Sequence, residues 1–202
     1  MQIAMNPPFS QACENNQAPI LQVLQRHFAN RRLVLEIGSG TGQHSVYFAP
    51  RLPHLVWQTS DLAENHPGIL AWHSMHPAPN LRAPLALDLA TSGWPPGGFD
   101  AAYTSNTAHI VAWPLVERMF ELAGTHLPAN GVFAVYGPFN YSGAFTSDGN
   151  RAFDAMLRQR DPASGIRNAE DVVSLALSHS LRLIEDNAMP ANNRTLVFMK
   201  ER

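Results

Sequence analysis

The fold is decided by the stretch Leu33-Val34-Leu35-Glu36-Ile37-Gly38-Ser39-Gly40-Thr41-Gly42. Its apolar first half is typical of a strand buried on both faces, and residues 42–49 then have the pattern of a helix. Three glycines at alternating positions join the two elements. Glycine lets the backbone turn tightly and approach a ligand, and free N–H groups at a helix start attract polar groups. The stretch therefore predicts a nucleotide-binding turn.

Strands and helices alternate along most of the 202-residue chain. Further strands are predicted at 55–61, 83–89, 99–105 and 131–136, with helices at 19–28, 64–75, 114–127 and 152–160. A last helix follows Asn168, whose side chain is placed to cap it. The alternation predicts a parallel, doubly wound α/β sheet in one domain over residues 1–202. Strands at 181–186 and 195–200 are joined too closely for a crossover helix and should pair antiparallel.

The composition of the chain limits the classes of partner that we expect. The 14 Lys and Arg residues nearly balance 16 Asp and Glu residues, so no basic surface is expected for nucleic acid or an anionic membrane. No stretch approaches 18 apolar residues, and residues 1–8 lack the pattern of a signal peptide. One cysteine, Cys13, excludes an internal disulfide and fits a reducing compartment. We expect a cytoplasmic protein that binds a small molecule.

Ligands of open parallel sheets lie beyond the carboxyl ends of the strands, so the residues that end strands are the candidates. Asp61 ends the second predicted strand, where its carboxylate could accept hydrogen bonds from both hydroxyls of a ribose. Nicotinamide enzymes place an acid similarly, so Asp61 predicts a ribose rather than one cofactor. Glu36 stands among apolar residues and needs a partner, which a cationic ligand would supply.

The glycine spacing differs from the dinucleotide pattern G-x-G-x-x-G. Glu36-x-Gly38-x-Gly40-x-Gly42 resembles motif I of class I S-adenosylmethionine-dependent methyltransferases. That resemblance implies a Rossmann-like sheet of seven strands in the order 3-2-1-4-5-7-6, with strand 7 antiparallel. It also implies S-adenosylmethionine as cofactor. The residues it assigns to cofactor binding are Glu14, Asn16, Glu36, Gly38, Ser39, Gly40, Gly42, His44, Asp61, Asp88, Leu89 and Asn106.

Two of these assignments have alternatives. In the resembled family an acid such as Asp88 accepts the adenine amino group, while the backbone N–H of the next residue, Leu89, contacts the ring. Asp88 could instead cap the turn at 90–91. For Glu36 the resemblance implies a network that faces the cationic methionine end of the cofactor.

His109 follows the fourth predicted strand, where class I enzymes often place a catalytic or orienting group. An imidazole with a pKa near neutrality suits a general base. We therefore expect His109 to deprotonate or orient the methyl acceptor, with the alternative of a structural histidine at a helix start. The remaining candidates for the acceptor pocket are Tyr136, Asn140, Tyr141, Asn192 and Asn193.

Several blocks along the chain narrow the resemblance to the methyltransferase-like 26 family. They are Ser10–Asn16 with Pro19-Ile20-Leu21, Glu36–His44, Trp57-Gln58 with Ser60-Asp61, Asn106–Ile110, Tyr136–Phe139 and Met189–Asn193. Where that family has an A-E-R-N string this chain has Cys13-Glu14-Asn15-Asn16, so the arginine has no counterpart here. The block near the chain start implies that residues 1–16 form a lid over the cofactor, the alternative being a frayed terminus.

Other function classes remain for comparison. A non-catalytic protein that binds S-adenosylmethionine or S-adenosylhomocysteine would share the same turn, whereas a nicotinamide-dependent oxidoreductase is disfavoured by the glycine spacing. His73 and His76 could share a helix face, but no third ligand accompanies them, so no metal site is expected. The sequence also lacks the elbow of serine hydrolases and the lysine of P-loop proteins.

Overall fold

A computed structural model describes residues 7–202. Eight strands form the sheet: β1 (Leu33–Ile37), β2 (Val56–Asp61), β3 (Leu81–Ala86), β4 (Ala101–Ser105), β5 (Val132–Asn140), β6 (Arg167–Asn168), β7 (Leu181–Met189) and β8 (Asn193–Lys200). Six α-helices accompany them: α1 (Gln11–His27), α2 (Gln43–Phe48), α3 (His66–Met75), α4 (Trp113–His126), α5 (Asp148–Arg160) and α6 (Ala169–Ser178).

The sheet order is β3-β2-β1-β4-β5-β8-β7, and the two-residue β6 pairs with the end of β5. Strands β1 to β5 run parallel, whereas β8 lies antiparallel to both of its neighbours. This confirms the predicted order 3-2-1-4-5-7-6 with an antiparallel last strand. Strand β6 is the one addition, so the last two predicted strands are β7 and β8.

Helices cover both faces of the sheet, which is why the central strands are apolar on both sides. Val34 of β1 joins a core that includes Trp57 and Tyr103, packed by α1 and α2. Its neighbour Leu35 joins the opposite core, where Phe120 contacts the β-strand side chains of the other face. Successive strand residues point to opposite faces, so one buried run supplies both cores. No helix in residues 7–202 has the length and apolar character of a membrane span.

The first helix differs from its prediction. It begins at Gln11 rather than at Pro19, because the side chain of Ser10 caps it by accepting from the N–H of Cys13 at 3.4 Å. Pro19 lies inside the helix. Of the predicted lid, residues 1–6 lie outside the described part, whereas 11–16 form the first turns of α1.

Other element ends and one helix cap also differ from their predictions. Strand β3 ends at Ala86, two residues before Asp88, and β5 continues four residues beyond Tyr136 to Asn140. The side chain of Asn168 makes no cap bond to α6 and donates to the carboxylate of Asp171 at 2.8 Å. The extension of β5 follows from its pairing with β8 and β6, which the local sequence does not reveal.

Candidate functional site

The glycine turn after β1 has the backbone that its sequence requires. Gly38, Gly40 and Gly42 have φ values of +71°, +57° and +90°, a region that side chains disfavour. A Cβ atom on Gly38 would lie 2.9 Å from Thr107 Oγ1, and one on Gly42 would lie 2.9 Å from the Cα of Ile69. A Cβ on Gly40 would meet nothing within 4 Å. The turn is therefore packed at both ends and open at its middle glycine.

Asp61 at the end of β2 holds that middle glycine. Its Oδ2 accepts from the N–H of Gly40 at 2.6 Å, and its Oδ1 accepts from the N–H of Leu62 at 2.7 Å and from Asn65 Nδ2 at 2.8 Å. A carboxylate oxygen accepts more than one hydrogen bond, so a ligand hydroxyl can still bind here. The carboxylate thus joins the turn to the end of β2.

Glu36 lies beneath the turn and is 2% exposed. Its Oε2 accepts from Trp57 Nε1 at 2.9 Å and from Ser39 Oγ at 3.1 Å. Burial raises the pKa of Glu36 to about 7, opposed by these two hydrogen bonds and assisted by the charge of Asp61. Trp57 and Ser39 therefore supply part of the hydrogen bonding that this buried carboxyl group requires.

The raised pKa of Glu36 gives a testable pH dependence. The unfolded carboxyl loses its proton near its ordinary pKa of 4.5 and the folded one near 7, so stability falls as pH rises through that interval. We expect Glu36→Gln, which keeps an acceptor for both donors, to remove about 3 kcal/mol of this fall. Thermal unfolding of both proteins across that pH range measures it.

The matched control is Glu117→Gln. Glu117 also accepts from an indole, Trp113 Nε1 at 2.9 Å, but this hydrogen bond is exposed. Equal pH slopes for wild type and Glu36→Gln would contradict the expectation.

His44 on α2 links the turn to α1. Its Nε2 donates to Asn16 Oδ1 at 2.7 Å, so Nδ1 is left to accept from the hydroxyl of Tyr103 at 3.3 Å. Burial lowers the pKa of His44 to about 4, which keeps the ring neutral near pH 7. Both ring nitrogens therefore have protein partners.

Two cavities open at the carboxyl ends of the strands. The glycine-turn cavity has a volume of about 290 Å³ and is lined by Ser10, Cys13, Gly38, Ser39, Gly40, Thr41, His44, Asp61, Ser105, Asn106, Thr107, Ile110 and Val111. The asparagine cavity has a volume of about 470 Å³ and is lined by Ser10, Ala12, Asn15, Asn16, Asn106, His109, Ile110, Tyr136, Pro138, Asn150, Phe153, Pro190, Ala191 and Asn193. Ser10, Asn106 and Ile110 belong to both walls, so the cavities adjoin.

His109 lines the asparagine cavity, and its side chain is largely buried. Its ring lies 5.4 Å from that of Phe153. Burial, with a smaller effect from Arg167, lowers the pKa of His109 to about 4, rather than the value near neutrality that the sequence suggested. Asn106 stands between the two cavities with a φ of +57°, and its N–H donates to the carbonyl of Tyr136 at 2.9 Å. An asparagine tolerates this conformation better than most residues.

The structure separates several predicted residues from these cavities. Glu14 is exposed and lines a different depression, beside Tyr47 and Trp72. The carboxylate of Asp88 accepts from the N–H of Ala90 at 2.8 Å and from Thr91 Oγ1 at 3.2 Å, which is the turn-capping alternative.

Leu89 is buried in the apolar core beside α4. Among the predicted acceptor residues, Tyr136 and Asn193 line the asparagine cavity, whereas Asn140 does not. Tyr141 and Asn192 line a neighbouring cavity, where the Tyr141 hydroxyl donates to Asp186 Oδ2 at 2.7 Å.

Sequence reasoning missed several lining residues. Ser10 and Asn15 belong to a helix start that the Ser10 cap and the acid in the first turn could have revealed. Asn150 and Phe153 of α5 and Pro190 before β8 reach the cavity from distant parts of the chain, and no local pattern indicates them.

His73 and His76, at the end of α3, contact different partners. His73 Nε2 lies 3.0 Å from Ser45 Oγ, and the His76 ring stacks on Trp72. No group of three or more His, Cys, Asp or Glu side chains within residues 7–202 is arranged to hold a metal ion. Cys13 lines the glycine-turn cavity, where burial raises the pKa of its thiol.

A family comparison covers nearly the whole chain. The family described as "Protein of unknown function (DUF938)" matches residues 7–200. The chain belongs to the DUF938 family. The match includes both cavity walls, so the site lies within the part that defines the family.

Solved structures similar to this DUF938 chain include methyltransferases. The S-adenosylmethionine-dependent methyltransferase SibL, in its apo form, matches with a TM-score of 0.80 and 18% identity over 95% of this chain and 56% of SibL. An O-methyltransferase family protein from Burkholderia thailandensis matches with a TM-score of 0.78 and 13% identity over 92% of this chain and 56% of that protein.

CalO1, a methyltransferase in calicheamicin biosynthesis with SAH bound, matches with a TM-score of 0.71 and 18% identity over 91% of this chain and 54% of CalO1. The DUF938 chain thus spans about half the length of these proteins. At such identities the likeness shows the fold alone, a Rossmann-like α/β sheet with an antiparallel strand.

Proposed function

We propose that the chain is an S-adenosylmethionine-dependent methyltransferase that acts on a small molecule. The cofactor would bind in the glycine-turn cavity and the acceptor in the asparagine cavity. The observation that carries the proposal is the shared wall of Ser10, Asn106 and Ile110. Two adjoining cavities at the strand ends suit a transfer from one bound molecule to another.

The residues of the glycine-turn cavity fit this cofactor. Gly40 leaves open the space that a side chain would fill, which suits close approach of a ligand to the backbone. Asp61 is placed for ribose hydroxyls, and Ser105 Oγ is buried without a hydrogen-bond partner in the described residues. Two similar solved proteins add support, since SibL is S-adenosylmethionine-dependent and CalO1 has SAH bound.

When bound, the cofactor would supply a methyl group activated by a sulfonium sulfur. The work of this chain is then to position the acceptor and exclude water, because an activated methyl group needs an aligned nucleophile more than strong acid or base help. His109 is neutral near pH 7 and can accept a hydrogen bond or a proton from the acceptor. Asn106, between the cavities, can orient either molecule.

The start of α1 belongs to the same proposal. Ser10 closes both cavities, and its N–H donates to Gln43 Oε1 at 2.5 Å, while Trp72 Nε1 donates to the carbonyl of Pro8 at 2.7 Å. We infer that residues 7–16, the described part of the lid that the sequence suggested, cover the cofactor. The narrower kinship with the methyltransferase-like 26 family, the extent of the single domain and location in the cytoplasm are also proposals.

Ligand binding tests the cofactor assignment. We expect S-adenosylhomocysteine to raise the melting temperature, because a ligand at 100 times its dissociation constant stabilises the folded state by about 2.7 kcal/mol. NAD is the matched control, since it would be favoured if the turn served a nicotinamide enzyme. A larger shift with NAD, or no shift and no calorimetric heat with S-adenosylhomocysteine, would contradict the assignment.

A second experiment tests transfer. Incubation with labelled S-adenosylmethionine and a metabolite extract should give a methylated product detectable by mass spectrometry. Binding of S-adenosylhomocysteine without any product would favour the alternative of a non-catalytic binding protein.

Asp61→Ala should weaken S-adenosylhomocysteine binding by about 1.5 to 3 kcal/mol, since it removes hydrogen bonds to ribose and the acceptor that holds Gly40. Isothermal titration calorimetry measures the change. Asp100→Ala is the matched control. Asp100 also accepts from backbone N–H groups, those of Arg32 and Leu33 at 2.9 to 3.0 Å, but it lies at the amino ends of β1 and β4, away from the cavities. Equal losses in both variants would place the ribose elsewhere.

A further inference from the structure

The asparagine cavity has a wall without charged side chains. Among the described residues that line it there is no Asp, Glu, Lys or Arg. The polar part of the wall consists instead of uncharged groups, namely the amides of Asn15, Asn16, Asn106, Asn150 and Asn193, the hydroxyls of Ser10 and Tyr136, and the imidazole of His109. An amide both donates and accepts hydrogen bonds and carries no net charge.

We propose that this cavity takes a neutral, flat molecule bearing a hydroxyl group, whose oxygen receives the methyl group. Acceptors that carry a carboxylate, a phosphate or an ammonium group are rejected. The inference rests on the proposed function and names its substrate class.

Charge exclusion follows from desolvation. A charged group moved from water into the cavity would lose hydration and meet no countercharge among the lining side chains, which costs several kcal/mol. The cations nearby are already paired: Arg194 Nε donates to Asp186 Oδ1 at 2.7 Å, and Arg167 donates to the carbonyls of Ala108 and Val111 at 2.9 and 2.6 Å. Neither side chain lines the cavity.

Ring-shaped side chains favour a flat acceptor. Phe153, Tyr136 and His109 lie in the wall with Pro138 and Pro190, so the wall contains broad ring faces as well as amide groups. The rings of His109 and Phe153 meet edge to face at 67°. A planar molecule with polar substituents at its rim complements such a wall.

A hydroxyl is the nucleophile that suits a neutral imidazole. Its oxygen lone pair would form the new C–O bond as the C–S bond breaks, and the bonding electrons would pass to sulfur, leaving S-adenosylhomocysteine. The oxygen becomes strongly acidic as the C–O bond forms, so its proton would pass to His109 and then to water. A ring with a low pKa is neutral and ready to accept that proton at any pH above about 4.

Three matched probes test the class of acceptor near neutral pH. They are 4-hydroxyacetophenone, which is neutral, 4-hydroxybenzoate, which is anionic, and tyramine, which is cationic. With the protein saturated by S-adenosylhomocysteine, we expect the neutral probe to bind about tenfold or more tightly than either charged one, as measured by ligand-observed NMR titration. Failure of the neutral probe to bind, or equal or tighter binding of a charged probe, would overturn the inference.

A charge introduced into the wall should alter the relative affinities of the three probes. Asn15→Asp keeps the oxygen that accepts from Gln11 Nε2 at 2.9 Å but adds a negative charge at the cavity. We expect it to narrow the preference for the neutral probe over tyramine. Gln17→Asp is the matched control, because Gln17 lies two residues along α1 and faces the depression beside Tyr47. The same change in both variants would contradict a role for the wall.

The two proposals fail in different ways. If S-adenosylhomocysteine does not bind, the proposed function fails and the substrate class fails with it. If S-adenosylhomocysteine binds and a charged probe is preferred, the cofactor assignment stands and the neutral acceptor alone is refuted.

Discussion

Gly40→Val is expected to weaken S-adenosylhomocysteine binding by more than about 3 kcal/mol, beyond the loss for Asp61→Ala. At φ +57° the glycine holds a conformation that a β-branched residue adopts only under strain. Its Cβ direction is open, so the valine methyl groups would occupy ligand space rather than collide with protein. Calorimetric titration measures the affinity, and circular dichroism checks that the variant is folded.

Gly98→Val is the matched control for this substitution. Gly98 has a φ of +67° and a Cβ direction with nothing within 4 Å, but it lies in the exposed loop before β4 and lines neither cavity. Gly98→Val adds backbone strain but takes no ligand space. It should therefore lower the stability of the protein and leave its affinity for S-adenosylhomocysteine unchanged. Unchanged affinity in Gly40→Val would mean that the ligand lies away from the turn.

His109→Gln should lower turnover by about 10² or more and leave cofactor affinity nearly unchanged, because the loss falls on the transition state. Burial sets the pH dependence: the wild-type rate should stay level down to about pH 5 and fall only as pH approaches the pKa of about 4. Steady-state kinetics on an identified acceptor, at several pH values, measures both effects.

His126→Gln, at the exposed end of α4, controls for loss of a histidine outside the site. Full activity of His109→Gln would assign His109 to the structural alternative. A rate that falls through pH 6.5 would contradict the lowered pKa of His109.

The sheet could be predicted because its information is local. Leu33–Ile37 is buried on both faces and β-branched in part, and the three glycines mark where the strand must turn. Asp61 follows the same logic, since an acid that ends the adjacent parallel strand lies at the same edge of the sheet.

The start of α1 could not be predicted from hydrophobic periodicity. Of residues 11–16, Asn15 and Asn16 line the asparagine cavity and Gln11 and Glu14 are exposed, so the apolar periodicity that reveals a helix begins only at Ile20. The choice of Glu14 over Asn15 failed for a related reason. One residue along a helix rotates the side chain by about 100°, so Asn15 lines the asparagine cavity whereas Glu14 lines the depression beside Tyr47.

The acceptor side was harder to predict because distant segments build it. Pairing of β8 with β5 brings Asn193 beside Pro138, and α5 adds Asn150 and Phe153. These contacts depend on tertiary packing between segments that are far apart in the sequence.

Because β8 returns antiparallel beside β5, the two cavities draw largely on different parts of the chain. The glycine-turn cavity draws on residues before 112, whereas much of the asparagine cavity comes from residues after 135. Substitutions in α5 and in the β7–β8 connection can accumulate without disturbing the turn at Gly40. Selectivity for one partner molecule can therefore diverge between homologous chains while the site for the other is inherited intact.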